Sequence, residues 1–347
     1  MKKLILIFIL VSGLLLPVHA LDLTAPEAPD QVEDLMPVET ESFGEGLLFV
    51  IKSALQNFQP EISEGAGVCL SVMVVAILTS LLGHFPGTSK QITQLCATIL
   101  TACLLLAGAK TLIRDGAETV EQLSEYGKLL LPVLAAAMAA QGGITGSAAI
   151  YTATAIFDAV LSAVISGILV PMVYIFLAIA VADSALGEPL LKKLKDFVKW
   201  LVTWCMKTVL YVFTGYITVT GVVSGTADQA AIKATKLTIS GMVPVVGGIL
   251  SDASEAVLVG AGTVKSAVGV YGLLAITAIA VGPFLRIGVQ YLLLKLTAAV
   301  CGVFADKKLT DLVGDFSSAM GILLGMTGAV CLLLMISIVC FLKGVSA

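Results

Sequence analysis

Histidine is almost absent from this 347-residue chain, which holds only His19 and His84. Charged residues make up 13%, tryptophan occurs twice, and none of the seven cysteines belongs to a C-x-x-C pair. Each shortage excludes something. His19 falls in a signal-like start, so a single histidine remains; multi-histidine metal sites are excluded and histidine-based triads have nothing to build on. All seven cysteines (Cys69, Cys96, Cys103, Cys205, Cys301, Cys331 and Cys340) lie inside apolar runs, where they read as packing residues and not as a disulfide framework. No G-x-x-x-x-G-K-[ST] occurs, so the usual nucleotide loop is missing. Too few charges remain to cover a water-facing surface, and a soluble enzyme is excluded.

Hydrophobic residues are plentiful: they make up 58% of the chain, and the mean hydropathy is +1.03. Lipid must therefore be the main solvent. The net charge of −4 is unevenly spread. Residues 21–64 hold ten acids, from Asp22 to Glu64, against the single base Lys52. That stretch carries −9 and the start +2, which leaves the membrane body at +3.

Lys2-Lys3, the apolar run Leu4 to Leu16, and Val18-His19-Ala20 have the layout of a secretory signal peptide over residues 1–20. Cleavage after Ala20 makes the acidic stretch an extracytoplasmic leader, disordered around Pro26, Pro29 and Pro37. Leu47, Leu48, Ile51, Leu55 and Phe58 recur at helical spacing and predict a helix on the membrane surface. Residues 65–128 read as two spans, 65–82 and 92–109, followed by an amphipathic external connector over 110–128.

The apolar region Leu129 to Ala182 reads as three short spans, 129–146, 148–166 and 168–183. Beyond Pro189, Lys192, Lys193, Lys195 and Lys199 share a helical face, and Trp200 and Trp204 follow; these residues are expected at the cytoplasmic interface. A further span runs to about Val223. The last third repeats this plan. Pro132 has its counterpart in Pro244, Ala182-Asp183 in Ala305-Asp306, Lys192-Lys193 in Lys307-Lys308, and Asp196-Phe197 in Asp315-Phe316. Two parallel membrane repeats, 129–225 and 241–342, account for these matches. Segments 241–262, 267–285, 287–304 and 318–342 then cross, although a re-entrant hairpin at 241–262 is the rival topology. The expected fold is all-α: a polytopic helical membrane protein with about 8–10 transmembrane segments and broken helices rich in small residues.

An uncompensated charge inside the bilayer costs about 2.5–3.5 kcal/mol, so acids and bases in apolar segments mark pores or paired sites. Asp158, Asp252, Glu255 and Lys295 are the candidates, with Lys207 and Arg286 nearer segment edges. Pro244, Gly247 and Gly248 break the helix just before Asp252. A cavity lined by freed backbone is one reading; an ordinary cap, with Glu255 at the third helical position, is the other. Neither requires a metal or cofactor, and nothing calls for nucleic acid.

The string Gly241-Met-Val-Pro-Val-Val-Gly-Gly-Ile-Leu-Ser-Asp-Ala-Ser-Glu255, running on through Gly260-Ala-Gly262 to Lys265, resembles the stage III sporulation protein AE family, as do the signal peptide and the break at Gly142-Gly143. The likeness covers about residues 65 to 342. It implies a permease-like subunit of the stage III A assembly, in the mother-cell membrane around the forespore. The implied partners are the other stage III A proteins and a forespore-side membrane protein, and no catalytic residues. Two other classes stay open. A vegetative secondary transporter of a small solute would use the same repeat and charges, whereas an intramembrane hydrolase lacks G-x-S-x-G and a metal cluster.

Overall fold

The computed structural model describes residues 25–37, 43–56, 59–83, 85, 89–140, 144–219 and 267–344. Within them lie eight α-helices and no strand: α1 (Phe43–Gln56), α2 (Gln59–Leu82), α3 (Lys90–Ala140), α4 (Ile144–Val164), α5 (Val170–Leu186), α6 (Pro189–Val219), α7 (Ala267–Phe304) and α8 (Lys307–Gly344). A short 3₁₀ turn, Asp30–Leu35, precedes α1. One π turn, Ile165–Leu169, joins α4 to α5 just ahead of Pro171, whose missing N–H suits the start of a helix. Five of the helical stretches are long and apolar enough to cross a membrane. The helical, multi-pass architecture expected from composition is present.

The helices run along a common axis. Gly302 meets Thr310, Tyr291 meets Gly321, and Gly288 meets Leu324; each step down α7 is matched by an equal step up α8, so the two are antiparallel. Asp115 with Arg286 and Leu130 with Gly272 set α3 antiparallel to α7. Gly65 beside Gln290, with Ala76 and Cys301 in one apolar cluster, sets α2 parallel to it. The α2–α3 turn, the Gly187-Glu188 turn and the Ala305-Asp306 turn therefore gather at one end: Lys308 Nζ sits over Gly187, and Gln94 Nε2 donates to Asp306 Oδ2. Lys192, Lys193, Lys307 and Lys308 belong to this end. At the other end α1 packs Val50 against Leu274 and Ala278 of α7. Gly46 is needed there, because a Cβ would come within 2.6 Å of Leu274 Cδ1.

Several runs that look separate in the sequence form single helices. The runs 267–285 and 287–304 are both part of α7, which passes through Pro283 and Arg286 without ending. Likewise α3 is 51 residues long, about 76 Å at 1.5 Å per residue, and includes the stretch 110–128. That stretch is helical, as its amphipathic pattern suggests, but it is no detached connector. Its inner face (Ile113, Val120, Leu123 and Tyr126) is buried in the main core, while Arg114 and Glu118 pair on its outer face. The element it covers is α8, whose apolar stretch from Ala319 to Phe341 is almost wholly enclosed by α3, α4, α5 and α7. A helix apolar on all sides is expected at the centre of a bundle, and α8 holds that place.

Candidate functional site

α5 ends where Gly187 adopts a left-handed conformation (φ 75°), its N–H bonding the Asp183 carbonyl at 2.7 Å. Only glycine takes that geometry without strain. Glu188 follows, and Pro189 opens α6 at a position where no N–H is required. The chain reverses, so Lys195 on the second turn of α6 comes back alongside Asp183 on the last turn of α5. Lys195 Nζ donates to Asp183 Oδ2 at 2.8 Å and to Asp315 Oδ2 of α8 at 2.7 Å. One turn on, Lys199 Nζ donates to Ser318 Oγ at 3.2 Å. Lys195 is only 7% exposed. Burial works against its ammonium, yet the hydrogen bonds and charges of Asp183 and Asp315 prevail and hold its pKa above the ordinary lysine value. Two acids and one base give this hub a net charge of −1, and it ties the hairpin α5–α6 to α8.

The four lysines read from the sequence as one interfacial face therefore divide. Lys192 and Lys193 are exposed, Lys199 is half-buried against α8, and Lys195 points into the bundle. Trp200 and Trp204 are exposed, as an interfacial belt requires, and stack on each other with ring centroids 6.1 Å apart and Phe197 next in line at 5.9 Å. The sequence gave Asp183 and Asp315 only as letters of the repeated Ala-Asp and Asp-Phe pairs; their meeting at one lysine depends on three helices and was not readable from spacing.

Asp158 is buried on α4, 3% exposed. Its Oδ2 accepts a hydrogen bond from Ser124 Oγ of α3 at 2.8 Å, while its Oδ1 has no partner. Thr154, one turn earlier, is fully buried and its Oγ1 is also unpartnered. Lys295 is not brought to this acid. It lies on the outward side of α7 between Leu292 and Leu296, both more than 60% exposed, and faces away from the bundle interior. Arg286 is held by Asp115, with Nη1 to Oδ2 at 2.9 Å, which explains how α7 carries a guanidinium through an apolar stretch. Pro244, Gly247, Gly248, Asp252 and Glu255 lie outside the described residues.

No group of three or more His, Cys, Asp or Glu suited to a metal occurs among the described residues. The cysteines are free thiols; Cys69, Cys301 and Cys340 pack in the interior, whereas Cys96 and Cys103 face outward, against the packing role expected of them. What the arrangement offers is charge inside a helical bundle: one cation-centred hub and one buried acid.

These features define a multi-pass helical membrane protein. Residues 35–344 match the family model of stage III sporulation protein AE, and the chain belongs to that family. It is similar to stage III sporulation protein AE of Bacillus subtilis (strain 168), 19% identical over 236 residues. The match covers 67% of this chain and 59% of that relative, less than two thirds of the relative's length. No solved structure matches.

Proposed function

We propose that the chain is a permease-like subunit of a channel or transport complex between mother cell and forespore, required for endospore formation. The observation that carries this reading is the family match joined to the Lys195 hub, a buried charge centre of the kind that an apolar bundle retains where polar traffic or switching needs it. Asp158, Asp252 and Glu255 are assigned to the polar route or its support, and Lys295 to the bundle's outer face. The partners assigned are other stage III A proteins and a forespore-side membrane protein, with the protein resident in the mother-cell membrane. The N-terminal signal and acidic leader are assigned to the extracytoplasmic side. In support, three turns gather at one end with Lys192, Lys193, Lys307 and Lys308, as cytoplasmic ends do, and the acidic 3₁₀ turn lies toward the opposite end, packed on α7.

The test is deletion of the gene, followed by counting mature spores and imaging forespores. Loss of spores with normal vegetative growth is expected; normal spore yield overturns the assignment and returns the chain to the class of vegetative solute transporters. Alkaline phosphatase fused after Asp306 is expected to be inactive, and fused after Gln56 active.

A further inference from the structure

A cleft of about 520 Å³ opens between α2, α3 and α7. Its lower wall is apolar, with Val68 and Leu104; its upper wall carries Glu64, Thr111, Arg286 and Gln290. That volume is within the range of sites that hold small ligands. The four polar groups sit at one level for a reason visible in the helix lengths. Glu64 is 18 residues from the end of α2 at Leu82, Arg286 is 18 from the end of α7 at Phe304, and Thr111 is 21 from the start of α3 at Lys90. At 1.5 Å per residue each spacing is about 27–32 Å, one hydrocarbon thickness measured from the end where the turns gather. The cleft's polar wall is thus at headgroup depth, and Leu104 lies about 10 Å deeper, at acyl-chain depth.

The charges on the wall decide which headgroup fits. Glu64 is negative, and Arg286 is already neutralised by Asp115 at 2.9 Å, so the net charge is −1. An anionic headgroup meets repulsion. A headgroup with both a phosphate and a primary ammonium is matched by Arg286 on one side and Glu64 on the other. We propose that this cleft binds one phospholipid with an ethanolamine headgroup, its phosphate at Arg286, its ammonium at Glu64 and an acyl chain along Val68 and Leu104. The inference needs the membrane fold but not the transport reading.

Gly108 offers a clean way to close the site. A Cβ there meets nothing within 4 Å, so Gly108→Leu extends into the cleft without a clash, whereas a Cβ on Gly65 would run into Gln290. The full chain, purified in mild detergent, is titrated with phosphatidylethanolamine or with phosphatidylglycerol of the same acyl chains, and thermal unfolding is followed. Phosphatidylethanolamine is expected to raise the midpoint by about 3–6 °C, as a ligand of the folded state does, with phosphatidylglycerol raising it by less than half as much. Gly108→Leu removes the effect, and Glu64→Gln, isosteric and on an exposed side chain, abolishes the preference between the two lipids. Equal shifts from both lipids, or a shift that survives both substitutions, overturn the proposal. An equal shift from water-soluble glycerophosphoethanolamine overturns it as well, because the acyl chain then contributes nothing.

Discussion

Lys195 and Asp315 stand 120 positions apart in the chain and 2.7 Å apart in space. The pair joins the two parts of the sequence that look like copies of each other. Lys199 and Ser318 repeat the contact one turn later, so α6 and α8 run side by side in parallel. A charge placed here stabilises only if its partners stay. Removing one partner from a buried ion pair costs about 3–5 kcal/mol, while replacing the whole group by apolar residues is often neutral.

Lys195→Met is therefore expected to destabilise the protein by about 3–5 kcal/mol, because Asp183 and Asp315 are left facing each other. Adding Asp183→Asn and Asp315→Asn to the same chain restores most of that loss. Thermal unfolding of the three purified proteins checks this. A Lys195→Met protein within about 0.5 kcal/mol of the parent would show that the hub is not a structural unit.

The pKa of Lys195 is raised in the fold, and that fixes the sign of its pH response. An unfolded lysine loses its proton near ~10.4, the folded one only at higher pH, so the contribution is complete below ~10.4 and fades as pH climbs through the folded value. The stability difference between the parent and Lys195→Met, taken on proteins carrying the Asp183→Asn and Asp315→Asn background in parallel, should stay flat between about pH 7 and 9.5. A difference that shrinks across that interval would contradict the assignment of the proton to Lys195.

Ser124 supplies the one hydrogen bond that Asp158 has. Ser124→Ala leaves the buried carboxyl without a partner and is expected to cost about 1–3 kcal/mol. Combining it with Asp158→Asn recovers part of the loss, because an amide is cheaper to bury than an unpaired carboxylate. If Asp158→Asn alone abolishes spore formation while the protein accumulates normally, the acid acts in function; if the protein disappears from the membrane, it acts in packing.

Trp200 and Trp204 are the chain's two tryptophans, so its fluorescence reports on this one face of α6. In vesicles, lipids brominated near the headgroup are expected to quench it more than lipids brominated near the chain ends. Trp200→Phe with Trp204→Phe should remove the signal without unfolding the protein. Equal quenching at all depths would remove α6 from the interface.

Much of this architecture is legible in the letters. Composition calls for a membrane bundle, the break after Ala140 separates α3 from α4, and Gly187 with Pro189 marks the hairpin of α5 and α6. Three things were hidden, each for a physical reason. Arg286 looks like a boundary between two spans, but Asp115 of a distant segment compensates it and the helix continues. The charges of 110–128 suggest a solvent-exposed connector, although Ile113, Val120 and Leu123 at helical spacing form a core face of α3. Lys295, mid-span in the sequence, looks like a pore residue; which side of α7 it occupies depends on where α8 packs, and α8 takes the opposite side.

The position of α8 also carries a consequence for biosynthesis. It is the last long helix to leave the ribosome and the one that the others surround, so α3, α4, α5 and α7 have no centre to close around until translation is nearly over. Every earlier helix must wait in the bilayer with its inner face open, the period when membrane proteins are most exposed to proteases and to non-native pairing. A chain stopped at Phe304 would lack little of its length but all of its middle. A frameshift in the last tenth of the gene is then as severe as one near its beginning, and the cell has a single checkpoint, arrival of the final helix, at which a finished molecule differs from an unfinished one.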